Sequence, residues 1–389
     1  MKILHTVELY LPSTGGMQEI VRQISERLVK RGHEVTVATT RLPGRSEAKV
    51  NGVNVAEFSV EGNLTRGLSG ETEAYRNFLL DSDFDVVTNF AAQQWATDVM
   101  LPHLDLIKRK VFVPQGFSGL YLPEYAGYFE SMKSWMKKYD MNVFTSDDYR
   151  DINFARQFGV TNITLIPNGA GADEFLPEPG FDIRRALKIP SGHLLILHVG
   201  SHTGLKGHAE AVEIFRRARV RRATLLIVGN DFGGGCAEQC ERSNRDFNKS
   251  PKRLLDGKRL IVAPLSREET VAAYKAADLF FFPSNVECSP LVLFECMASQ
   301  TPFLTTDVGN AAEIIRWSGA GRLLPTQKDA AGYSKAEVEP AAEMLAALCE
   351  RGEEREAMRA AGFAAWRERF TWEQIAESYE SLYSELVRN

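Results

Sequence analysis

An apolar run from Ile3 to Val7 leads into the loop Ser13-Thr14-Gly15-Gly16, after which Met17, Ile20, Val21, Ile24 and Leu28 recur at helical spacing. Gly32 closes that helix, and Glu34 to Thr39 reads as a second strand. Two strands joined this closely through one helix lie parallel in one sheet, with a right-handed crossover. The alternation continues through strand-like runs at Asn54 to Val60, Asp85 to Val87, Lys110 to Pro114 and Asn142 to Thr145, with helical segments between them. The first half is therefore expected to be doubly wound α/β.

The pattern breaks at Leu165-Ile166-Pro167-Asn168-Gly169, and Pro177, Pro179, Gly180, Pro190 and Gly192 crowd the stretch that follows. A second set of strands then begins: Leu194 to Val199, Thr224 to Val228, Leu260 to Val262, Leu279 to Phe282 and Pro302 to Thr305. One helix between them opens with a capping box of Ser266 and Glu269. A chain of 389 residues exceeds what one core ordinarily serves. The expected division is a first domain over 1–170, a linker over 171–190 and a second doubly wound domain over 191–370. After Pro325 the chain reads as helical to its end, with Trp366, Phe370, Trp372, Ile375, Tyr379 and Leu382 as one apolar stripe. The last helix, 371–389, is expected to pack back on the first domain.

Composition removes several classes of function. Lys plus Arg (46) against Asp plus Glu (51) gives a net charge of -5, which argues against a general nucleic-acid binder. No run approaches the roughly 18 apolar residues of a membrane span, and the N-terminus lacks a secretory h-region, so a cytoplasmic protein is expected. The mixed segment Met132, Lys133, Trp135, Met136, Lys137, Lys138 leaves peripheral membrane contact open beside a plain half-buried helix. Five irregularly spaced cysteines read as reduced thiols. Cys236 and Cys240 have no matching Cys or His pair at zinc spacing, so no metal site is expected.

Ligands of open parallel sheets bind beyond the carboxyl ends of the strands, and four such loops carry chemistry. Gly15 and Gly16 let backbone approach an anion at a helix N-terminus, although a simple tight turn explains them equally well. The loop Gly200-Ser201-His202-Thr203-Gly204-Leu205-Lys206-Gly207 ends in a cation with glycine beside it, which suits a phosphate; the competing reading is a solvated lysine. The loop Gly229 to Gly235 is rich enough in glycine to wall a pocket, with no assigned role. In the fourth, Ser289 reads as an N-cap and Pro290 as the first helical residue, so the N–H groups of Leu291 and Val292 would face an anion. Glu295, five residues past Pro290, lies about 7.5 Å further along the axis, roughly the reach from a phosphate to its ribose. Glu287 precedes the cap. The competing reading is a pair of solvated glutamates.

This last segment resembles the paired-glutamate motif of retaining glycosyltransferases of family 4, and the likeness extends over nearly the whole chain. Gly15-Gly16 with the following helix and Arg31-Gly32-His33-Glu34-Val35 resemble the family's opening, Ile166 to Gly169 its interdomain signature, Lys206-Gly207 its phosphate-binding lysine, and Trp372 to Tyr383 its closing helix. The resemblance implies a GT-B fold, two facing Rossmann-like domains with the active site in the interdomain cleft. It implies a nucleoside-diphosphate sugar as donor, UDP- or GDP-linked, and a glycan or lipid-linked acceptor, with front-face displacement, retained configuration and no metal. By the same resemblance Glu295 holds ribose, Glu287 the donor sugar or its phosphate, Lys206 the diphosphate and Leu265 the base. Two positions depart from the family pattern: Ser201 stands where an arginine is usual, and Gln115, in Val113-Pro114-Gln115-Gly116, at or near a usual histidine. The departures bear on donor identity and keep open a catalytically weak nucleotide-sugar-binding protein; a GT-B sugar-nucleotide epimerase is a further alternative, over which Gly15-Gly16, Lys206-Gly207 and the paired glutamates favour transfer.

Overall fold

The computed structural model describes residues 1–81, 83–231, 233–250, 256–330 and 332–388. These form two compact units, one of residues 1–168 with the closing helix Trp372–Arg388, the other Gly169–Thr371.

The first unit contains β1 (Lys2–Thr6), β2 (Glu34–Thr40), β3 (Lys49–Val50), β4 (Val53–Phe58), the hairpin β5 (Val60–Asn63) and β6 (Gly67–Gly70), β7 (Val86–Phe90), β8 (Lys110–Val113), β9 (Met141–Phe144) and β10 (Ile163–Leu165). Its main sheet runs β10-β9-β8-β7-β1-β2-β4-β3 and is parallel except for the β3–β4 pair. The chain adds β2 and β4 on one side of β1 and then β7 to β10 on the other, so the strand order reverses between β1 and β7. Every residue of β7 is buried, as expected where helices cover both faces.

In the second unit β11 (Leu194–Val199), β12 (Ala223–Val228), β13 (Arg259–Ala263), β14 (Leu279–Phe282), β15 (Phe303–Thr305) and β16 (Gly321–Leu323) form a wholly parallel sheet. The order β13-β12-β11-β14-β15-β16 places the reversal between β11 and β14. β12 and β14 are buried throughout, and the expected strands appear within a residue or two of where periodicity sets them.

Three local expectations are corrected. Residues 171–190 are not a bare linker: they hold the short helices Ala172–Phe175 and Ile183–Ala186, whose Phe175 and Ile183 are buried in the second unit's core. The chain after Pro325 is not wholly helical, because β17 (Thr326–Lys328) and β18 (Ser334–Ala336) pair as a hairpin. That hairpin is stabilised from afar: Ser334 N donates to Asn285 O at 2.9 Å, and Lys335 Nζ reaches Asn285 Oδ1 at 2.9 Å. The terminal apolar stripe is divided between the units. Trp366 and Phe370 lie in the second core, while Trp372, Ile375, Tyr379 and Leu382 are buried on a separate helix of the first unit.

The closing helix is held to the first sheet by polar contacts in an apolar setting. Tyr383 OH accepts from Thr88 Oγ1 at 2.7 Å and lies 3.1 Å from Nε2 of the fully buried His5. Arg27 adds an ion pair to Glu373 at 2.7 Å. In the segment considered for membrane contact, Met132 and Met136 of the helix Ala126–Lys138 are buried in the first unit's core, Lys137 and Lys138 are exposed, and Lys133 and Lys138 pair with Glu130 and Asp105. Among the described residues no helix is long and apolar enough to cross a membrane.

Candidate functional site

The topological reversal in the second unit brings two of the predicted loops together. Residues 200–207 follow β11 and residues 283–290 follow β14, the two strands between which the order changes. Gly207 makes their approach possible. Its φ is +74°, and a Cβ there would stand 1.9 Å from Pro283 O, so no other residue fits without moving the backbone. Asn285 N then donates to Leu205 O at 2.9 Å, and Ser284 Oγ lies 3.3 Å from the same carbonyl.

Across this junction Lys206 Nζ meets Glu287 Oε1 at 2.7 Å, and Ser284 Oγ donates to the same oxygen at 2.9 Å. Glu210, Asn285 and Lys335 brace the loop from behind, with Asn285 Nδ2 at 3.1 Å and Lys335 Nζ at 3.0 Å from Glu210 Oε1. On the other flank Asn310 N donates to Cys288 O at 2.9 Å. Gly309 permits that contact, since a Cβ on it would lie 2.1 Å from the same carbonyl.

The helix after this loop spans Leu291–Ala298 and begins one residue later than expected. Pro290, not Ser289, takes the N-cap place, with ψ 113° and no side-chain cap bond. The extended ψ keeps Pro290 out of the helix. Leu291 and Val292 still head the helix, where their N–H groups have no intrahelical acceptor, whereas Leu293 N turns back to Pro290 O at 3.1 Å. Glu295 is four residues on, about 6 Å along the axis, and its carboxylate is nearly buried.

Arg267, absent from the sequence reading, is the partner of Glu295. Its guanidinium pairs with Glu295 Oε1 at 2.6 Å and Glu174 Oε2 at 2.8 Å. It opens the helix Arg267–Ala276 directly after Ser266, whose capping box with Glu269 is present as expected. Proximity to Leu265 in the loop after β13 was the one available signal, but 28 residues of sequence separate Arg267 from Glu295. Leu265 is half-buried against the second core. Ser201 is half-buried in a tight turn, its carbonyl accepting from Thr203 N at 2.8 Å.

Gly15, Gly16 and Gln115 belong to the first unit, at the carboxyl ends of β1 and β8. Gly15 is extended at φ 173°, and Gly16, which opens the helix Gly16–Lys30, would bring a Cβ within 4 Å of nothing. Gly16 is not demanded by local packing, whereas a Cβ at Gly15 would lie 2.7 Å from Gln18 Oε1 and displace that side chain. Gln115 has φ +58°, and Gly116 and Phe117 follow at +95° and +47°. Ala91 and Gln93, after β7, are left-handed as well, at +64° and +63°. Non-glycine residues in this region cost of the order of 1–3 kcal/mol each and gather at binding loops. Gly116 N is held at 2.8 Å by Asp151 Oδ2, a carboxyl that burial pushes up to about 6. The side-chain nitrogen of Gln115 is buried without a hydrogen-bond partner among the described residues. At the reversal between β1 and β7, Glu8 N donates to Gln94 Oε1 at 3.0 Å.

Residues 14–174 match the family description Glycosyltransferase Family 4, and residues 181–362 match Glycosyl transferases group 1. The chain belongs to glycosyltransferase family 4. This glycosyltransferase is 27% identical over 357 residues to the D-inositol 3-phosphate glycosyltransferase of Kineococcus radiotolerans, an alignment covering 82% of this chain and 79% of that one. It superposes on sucrose-phosphate synthase of Thermosynechococcus elongatus with a TM-score of 0.77 at 19% identity, over 99% of this chain and 98% of the other. Anabaena HepE in complex with UDP gives 0.76 at 14% identity, over 99% and 100%. At such identities the structural likeness speaks for the fold, which is GT-B. The two parallel-sheet units of the glycosyltransferase are the halves of that fold.

Proposed function

We propose that this glycosyltransferase moves a hexosyl group from a nucleoside-diphosphate sugar to a glycan or lipid-linked acceptor with retention of anomeric configuration. The observation that carries the reading is the Lys206–Glu287 pair at the β11/β14 reversal, beside a helix N-terminus and on the same segment as Glu295. A diphosphate placed there draws Lys206 Nζ and the N–H groups of Leu291 and Val292, and the two together supply the positive charge that a leaving group needs. Glu295, oriented by Arg267, accepts from the ribose hydroxyls, and Glu287 contacts the donor sugar. Leu265 lies against the base. The first unit offers two groups of its own suited to a sugar or an anion: Gln115 Nε2, buried without a hydrogen-bond partner among the described residues, and the helix N-terminus at Gly15 and Gly16.

In the transfer the bond from the anomeric carbon to the β-phosphate oxygen breaks, and a bond to the acceptor hydroxyl oxygen forms on the same face. The hydroxyl proton passes to the departing phosphate. No divalent cation is needed at the diphosphate, because Lys206 and the helix dipole answer its charge. UDP is the favoured nucleotide because HepE, of the same fold, is described with UDP bound; GDP is the second candidate. The name of the Kineococcus relative adds a phosphorylated cyclitol to the acceptors worth testing.

The test is a thermal-shift panel of UDP, GDP, ADP, dTDP and CMP with their sugars, followed by NMR of the early transfer product with and without Mg²⁺. A native-state ligand at 100 times its Kd raises stability by about 2.7 kcal/mol. One nucleoside diphosphate should stand out, and the product should keep the donor's configuration at an unchanged rate without Mg²⁺. An inverted product would sink the retaining mechanism, and no stabilisation by any diphosphate would sink the donor site.

A further inference from the structure

The loop that carries Lys206 also carries His202, and the helix it enters begins with His208. Cys236, first residue of the helix Cys236–Lys249, meets both. Its Sγ lies 3.6 Å from His202 Nδ1 and 3.9 Å from His208 Nδ1. One ligand atom from each of the three residues falls within 4.8 Å of the others, and the two imidazoles stack with centroids 4.3 Å apart. We propose that His202, His208 and Cys236 bind one zinc ion, which ties the loop bearing Lys206 to the N-terminus of the helix Cys236–Lys249.

The distances suit the metal. Tetrahedral zinc with Zn–S of about 2.3 Å and Zn–N of about 2.0 Å sets sulfur and nitrogen about 3.5 Å apart. The tautomer of His208 suits it too. Its Nε2 is 3.0 Å from Gly200 O, and a carbonyl only accepts, so Nε2 carries the hydrogen and Nδ1 turns a lone pair toward Cys236. A ligating histidine is typically fixed in this way, its second nitrogen donating to a carbonyl. Two nitrogens and a thiolate are a donor set that zinc accepts readily.

Neighbouring groups point the same way. His198 stands with its ring centroid 4.7 Å from that of His208. Its Nδ1 donates to Phe281 O at 2.9 Å, which leaves Nε2 as an acceptor, and this atom is buried without a partner among the described residues. A buried nitrogen lone pair without a donor is costly in a protein interior. Cys240, one helical turn beyond Cys236, lies beside its thiol. The carboxylates of Asp231 and Glu238 add negative charge near His202. The loops are already joined, since His202 N donates to Asn230 O at 2.9 Å.

The expectation of no metal rested on finding no Cys or His pair close in sequence. The fold supplies one from 34 and 28 residues away. Ligation removes the Cys236 thiol proton, which passes to solvent. The ion holds a loop and stands apart from the donor chemistry proposed for Lys206.

Reduced, chelator-treated protein should take up one equivalent of zinc per chain, and cobalt in its place should give the charge-transfer band of a cobalt–thiolate bond. Zinc should raise the melting temperature of the wild type. Cys236→Ser, at a half-exposed position, should abolish the band and weaken zinc binding by more than about 100-fold, the upper end for loss of an outer partner alone. His202→Gln should weaken it comparably while keeping a thiolate band at high cobalt, and Cys288→Ser should change neither. A wild type that takes up no zinc overturns the site, as does a Cys236→Ser variant that keeps the band.

Discussion

Lys206 and Ser201 stand in one loop, and only one of them carries charge. The proposed diphosphate arrives with two or more negative charges, and the helix N-terminus at Leu291 answers only about half a unit. Lys206→Ala should therefore lower turnover by about 100-fold or more, in the range seen when one preorganised donor to developing charge is removed. It should also erase much of the preference for nucleoside diphosphate over monophosphate, and Ser201→Arg in that background should restore part of both. Calorimetry with the two nucleotides decides the matter: an unchanged ratio in Lys206→Ala means another group neutralises the phosphate. The residue types at 206, 287 and 295 were legible because their spacing around a proline and a helix start has a chemical meaning. Arg267 was not, because an arginine after a capping serine is commonplace until Glu295 is seen beside it.

Elements were legible where they are long and buried. β11, β12 and β14 stand within a residue of their apolar runs, since a strand covered on both faces has few polar positions to blur its ends. The hairpins β5–β6 and β17–β18 have three or four residues per strand, and β5–β6 contains three glycines, so neither displays a period. The glycines that organise the site differ for a reason that only packing exposes. Gly207→Ala puts a Cβ onto Pro283 O in a left-handed residue and should cost about 2–4 kcal/mol, together with the Lys206–Glu287 register. Gly16→Ala has open space and an ordinary helical position, and should be neutral or stabilising by up to about 1 kcal/mol. Urea midpoints of the two variants test the contrast, and equal losses would mean that the 207–283 approach is not a fixed feature of the fold.

Across the whole molecule, the closing helix joins the first unit although its sequence neighbours belong to the second. Tyr383 holds it there through Thr88 and His5. Tyr383→Phe removes a buried hydroxyl from both partners and should cost about 1–3 kcal/mol, all of it in the first unit. Calorimetric unfolding should show the transition of that unit shifted downward and the other unmoved; a uniform shift of both would show the units to be one cooperative body. By itself the sequence determined the class of architecture, because strand, helix and glycine loop alternate with a local period that only parallel α/β sheets satisfy. It also pointed to the kind of site proposed, because a lysine loop and a proline just before a helix, with a glutamate on either side of it, are local patterns. Tertiary structure alone decided which residues become partners: Lys206 with Glu287, Arg267 with Glu295, and Cys236 with His202 and His208. Each pair is separated by 28 residues or more, and such contacts follow from strand order and close backbone approach, which no window of sequence contains.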